Sequence, residues 1–149
     1  MGIFDYFTKQ SVLRKIERIQ GLTTKQLIRI RSNIKDGKDS CADEKHIKIP
    51  SLNISFENSV FGVSEEQIEK TEPKYIRLCE KYKHNPEEVL KIVVDWCDFL
   101  NNCEDLIFGA QMKNAAADER GYENAQKDQD EAILKMKEIQ KRFDKLLKD

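Results

Sequence analysis

The segment VLKIVVDWCDFLNNCEDLIFGA, residues 89–110, decides how the chain folds. Val89, Val93, Trp96, Leu100, Cys103, Ile107 and Ala110 step by four and three, the spacing of one helical face. Leu90, Ile92, Val94, Cys97 and Phe99 widen that stripe until most of the circumference is apolar. A helix of this kind has to be surrounded by others. One row stays polar: Lys91, Asp95, Asp98, Asn102 and Asp105. The start is well marked. Asn85-Pro86-Glu87-Glu88 supplies a cap, a proline for the first turn and two acids for the positive end of the helix dipole.

Downstream, Tyr122, Ala125, Gln129, Ala132, Met136, Ile139, Phe143 and Leu146 repeat the three-and-four rhythm. Its phase slips between Ala117 and Tyr122, so a break is expected between Gly109 and Gly121, with the last two helices folded back as an antiparallel pair. The alternative is a continuous rod of roughly 60 residues, about 90 Å long. The same seam is the place where a homodimer through the C-terminal helices would form.

Upstream, Val12, Ile16 and Ile19 make an apolar stripe on a helix over 5–20 that Gly21 would end. Thr23-Thr24-Lys25-Gln26 has the capping-box pattern, and Leu27, Ile30 and Ile34 line a second helix to about Asp36. Residues 1–37 are therefore expected to form a basic helical hairpin. In 38–63, Ile47, Ile49, Leu52, Ile54 and Phe56 alternate around Pro50, which argues for extended structure at an edge or turn. Ser64-Glu65-Glu66-Gln67 has a second capping-box pattern, and Pro73 is expected to split the helix that begins there, with Thr71 capping the fresh start. The expectation is a mainly α fold: one helical domain over 1–149, a bundle of about five helices with a small extended or β-hairpin insertion.

Composition limits the functional classes. With 39% hydrophobic residues in helical register, 149 residues suffice for a core, and the chain is too patterned for disorder throughout. No apolar run approaches the ~18–20 residues of a membrane span. MGIFDYFTKQ lacks the pattern of a secretory signal, and Tyr6 stands where a myristoylation motif wants Ser or Thr. Ile3, Phe4 and Phe7 read as a cap on the core in preference to a membrane anchor. The expected location is the cytoplasm, with Cys41, Cys79, Cys97 and Cys103 as reduced thiols.

No motif specifies chemistry. Cys41–His46 and Cys79–His84 lack the two-to-four-residue ligand spacing of zinc sites. Asp95, Asp98 and Asp105 read as a solvated helix face without a Glu-x-x-His partner. Nucleophile elbows and phosphate-binding glycine loops are absent. No catalytic residue, cofactor or metal is expected.

Charge is unevenly placed. Residues 1–38 hold nine Lys and Arg against three acids, whereas 86–113 hold two bases against six acids. The basic segment is therefore expected to lie on the acidic central helix. The leading functional expectation is a non-enzymatic protein-binding module, a small cytosolic adaptor, inhibitor or immunity-type protein. Its contact would be Ile47, Ile49, Leu52, Ile54, Phe56 and Phe61, adding a strand to a partner sheet. The alternative is a nucleic-acid regulator with a helix–turn–helix over 14–35, touching phosphates through Arg14, Lys15, Arg18, Lys25, Arg29, Arg31 and Lys35.

Overall fold

The computed structural model describes residues 3–40, 47–49, 54–56 and 60–149. Among these residues there are four helices: α1 (Ile3–Ser40), α2 (Val60–Lys81), α3 (Pro86–Ala115) and α4 (Glu119–Lys148). Between α1 and α2, β1 (Ile47–Ile49) pairs antiparallel with β2 (Ile54–Phe56). The chain is mainly helical, with four helices where about five were expected: the break read at Gly21 does not occur, and neither does the further split read at Pro73.

The first absent break is at Gly21. It lies inside α1 with no atom near the position of a side chain, so there is no hairpin over 1–37. A mid-helix glycine costs about 1 kcal/mol relative to alanine. Burial of Ile16, Thr23, Gln26 and Leu27 on either side offsets that cost. Thr23 is not a cap: its Oγ1 donates to the Gln20 carbonyl at 3.0 Å, and Thr24 Oγ1 donates to the same oxygen at 2.8 Å. The second absent break is at Pro73, which lies inside α2. Its ring removes one backbone donor at an exposed position, while Ile68, Thr71 and Leu78 stay buried on the core side. Ser64 is likewise interior, donating Oγ to the Val60 carbonyl at 2.7 Å.

The other boundaries follow the sequence. Asn85 caps α3, accepting from the Glu88 amide ahead of Pro86. Residues 116–118 break α3 from α4, and Asp118 accepts from the Gly121 amide at 2.8 Å. The rod does not form. Arg142 on Asp95 and Gln129 Nε2 on the Leu106 carbonyl show α4 running antiparallel to α3.

Cross-helix bonds give the remaining directions. Gln26 reaches Asn101 and Arg29 reaches Glu104, so α1 is parallel to α3 with a constant offset in number. Arg31 meets Glu72, and Gly37 lies against Phe61, so α2 is antiparallel to α1. Gln140 bonds Gln67 and Thr71, and Lys74 bonds Asp144, so α2 and α4 are parallel. α3 packs against all three other helices. Glu104 and Asp95 are nine residues apart, half a turn around α3, so α1 and α4 occupy opposite flanks of it. All seven residues of the Val89–Ala110 stripe are buried. Tyr75, Trp96 and Phe99 stack with centroids 4.9 and 5.5 Å apart. Phe99, Phe143, Ile30, Ile68 and Leu78 are fully buried, each stabilising the fold by about 1.5–3 kcal/mol.

Candidate interaction surfaces

The connections differ sharply in length. Residues 82–85 join α2 to α3, and 116–118 join α3 to α4. Between α1 and α2 the chain spends 41–59, although these helix ends already touch. Gly37 sits so close to the Phe61 ring that any side chain there would run into it. Antiparallel helices need only about 2–5 connecting residues. A connection of 19 residues exceeds that several-fold.

Four of the six apolar partner candidates lie on the paired strands of this excursion. The register sets Ile47 opposite Phe56, Lys48 opposite Ser55 and Ile49 opposite Ile54. Directly opposed residues share a face and alternate along a strand. By register, the apolar residues Ile47, Ile49, Ile54 and Phe56 pair with one another and Lys48 pairs with Ser55. Among the described residues each strand has a single neighbour, so each keeps an unpaired outer edge. β1 approaches α4. Leu52 lies outside the described residues. Phe61 is a correction: it is 5% exposed in the first turn of α2 and belongs to the core, because the close approach of α1 at Gly37 encloses it.

The basic candidates lie along one continuous helix, so the expected helix–turn–helix is absent. Arg29 pairs with Glu104 at 2.7 Å and Arg31 with Glu72 at 3.1 Å. The carboxylate of Glu104, as hydrogen-bond acceptor and as charge, raises the Arg29 pKa further above its ordinary value. Thus α1 does run beside α3, but only Arg29 of these seven basic residues reaches an α3 carboxylate. Arg14, Lys15, Arg18, Lys25 and Lys35 are exposed and form no ion pair among the described residues. Arg14, Lys15 and Arg18, with Ser11, line one shallow depression of about 250 Å³.

A third surface is hidden in the sequence pattern. The face of α3 turned away from the core carries Val94, Phe108 and Met112, which are 40%, 58% and 46% exposed. Cys97 is half-buried on the same row, as is Leu90, which also packs against the buried cluster of Ile16, Val89 and Val93, and Asn101 is exposed between them and Phe108. The signal is the continuation of Leu90–Val94–Cys97–Asn101 at intervals of seven and four to Phe108 and Met112. It is masked because nearly every apolar residue of α3 reads as core. Phe108, Asp105 and Asn102 also line a depression of about 320 Å³ with Asp128, Glu131, Ala132 and Lys135 of α4. Partial burial, then the Asp95 charge, holds the Asp98 carboxyl above its usual range. Partial burial does the same at Asp105.

The remaining candidates are occupied structurally. Asp95 receives Arg142 through two bonds of 2.9 and 3.1 Å. Asn102, expected on the solvent row, is 8% exposed and donates to the Asp98 carbonyl. Burial raises the thiol pKa values of Cys79 and Cys103. The α4 seam is buried from Ala125 to Phe143. That row is therefore an intramolecular contact. Among the described residues no group of three or more His, Cys, Asp or Glu is placed to hold a metal, and no helix is long and apolar enough to cross a membrane. Cys41 and His46 lie outside the described residues. No family model, curated protein or solved structure matches this chain.

Proposed function

We propose that the protein is a non-enzymatic protein-binding module, a small adaptor, inhibitor or immunity-type protein that acts by occupying a partner's surface. The observation that carries this reading is the excursion over 41–59 between helix ends already in contact. Long connections with no need in the fold are commonly binding elements. The excursion is read as an inserted β-hairpin arm. Its unpaired edges offer backbone donors and acceptors to a partner strand, and its apolar residues offer side chains for selectivity. The free cysteines 79, 97 and 103 suit a reducing compartment, which supports the cytoplasm as its place of action.

The test compares affinity capture by the natural chain with capture by Ile54→Asp/Phe56→Asp. The expected outcome is loss of the captured partner with helical circular dichroism unchanged. If binding survives, or if the helical signal is lost with it, the arm is not a separable contact.

A second reading is favoured by the unpaired row Arg14, Lys15, Arg18 and Lys25, which suits a polyanion such as a nucleic acid along the outside of α1. It predicts affinity for duplex DNA or RNA that falls steeply as salt is raised and is lost in Arg14→Glu/Arg18→Glu. Absence of binding at low salt rejects it.

A further inference from the structure

Leu90, Val94, Cys97, Asn101, Phe108 and Met112 follow one another at intervals of four, three, four, seven and four, so they form one stripe along α3. Its two flanks differ in charge. α1 is held on one flank by Gln26 on Asn101 and Arg29 on Glu104. Arg18, Leu22 and Lys25 precede Arg29 by eleven, seven and four residues and share its face. On the other flank lie Asp98 and Asp105, with Asp128 and Glu131 of α4 beside them, and Lys135 and the Asp95-bonded Arg142 are the basic residues among them. One flank is basic and the other mainly acidic.

Such a face complements its own copy under one of the two possible rotations. A two-fold axis running along α3 lays each copy's basic flank over the acidic flank of the other. A two-fold axis across α3 lays basic on basic and acidic on acidic. The first rotation makes the two α3 helices parallel and sets like residues of the stripe opposite each other. Asn101, whose Oδ1 accepts from Gln26 at 2.6 Å, then lies along the seam opposite its own copy. From Leu90 to Met112 the stripe is about 33 Å long. With the flanking helices about 8–10 Å to either side, the face covers roughly 650 Å², close to the ~800 Å² per partner of a standard interface. We propose that the protein is a homodimer with parallel α3 helices packed through this stripe. The inference uses a different surface from the 41–59 arm and stands or falls separately from it.

Sedimentation equilibrium of the full chain tests it, with circular dichroism as the folding control. The natural chain is expected to be dimeric. Phe108→Asp and Val94→Asp, both at exposed positions, should each raise the dimer dissociation constant by at least about 100-fold, because each substitution enters the interface twice. Leu134→Asp, on the outer side of α4, should leave it unchanged. Mild oxidation should link the dimer through Cys97, since parallel register brings the two thiols across the axis, and Cys97→Ser should abolish the link. A monomer at every concentration overturns the proposal, as does a dimer that survives both stripe substitutions. A stripe-dependent dimer never linked through Cys97 overturns the parallel arrangement.

Discussion

Alanine at Gly21 and alanine at Gly37 have opposite expected effects, although both glycines lie inside α1. At Gly21 nothing stands near the new methyl group, so Gly21→Ala should raise the unfolding free energy by about 0.5–1 kcal/mol in a urea titration. A turn at that residue would give a loss instead, so the sign of the change distinguishes one helix from two. At Gly37 the methyl group meets the Phe61 ring, and Gly37→Ala should cost about 1–3 kcal/mol. The sequence shows a glycine in both cases but not what stands opposite it. Thr23 and Ser64 mislead for a related reason. The pattern Thr-x-x-Gln or Ser-x-x-Gln fits a helix start, yet these hydroxyls bond back to carbonyls of the preceding turn, and the Gln26 side chain crosses to α3. Such a spacing says nothing about whether the preceding turn is already helical.

Among the elements, α3 and α4 are the most legible in the sequence and α1 and α2 the least. α3 has a capped start and a buried stripe that continues without a gap, and local chemistry sets both. α2 runs through Pro73 because packing on both sides outweighs a local penalty of about 3 kcal/mol. Pro73→Ala should therefore stabilise the protein by about 1–3 kcal/mol with little change in the far-ultraviolet helical signal. A helix that truly began beside Thr71 would gain nothing from the exchange, since proline is well tolerated in a first turn. The outer stripe of α3 is obscured by the apolarity that makes this helix easy to find. A helix apolar over most of its circumference can be covered on three sides and still leave a fourth free. The expected basic row of α1 is present, but its side chains divide between internal ion pairs and solvent in a way that only the helix directions determine.

At the level of the molecule, α1 and α3 lie parallel, with α2 and α4 running the other way and α3 touching all three. This arrangement needs no long connection, and two of the three connections are short. Contact between Gly37 and Phe61 closes the third gap without help from the residues that bridge it. Covalent continuity through 41–59 is therefore expected to be dispensable to the packed helices. A protease recognition sequence inserted at residues 50–53 and then cut should yield two fragments that co-elute on size exclusion, keep their helical signal and separate only in denaturant. If the fragments part without denaturant, the connection holds the helices together after all. On this reading, the last three helices form a receptor for the first one. A free peptide of residues 3–40 should exchange into that receptor as a ligand would, making the chain a natural candidate for fragment complementation.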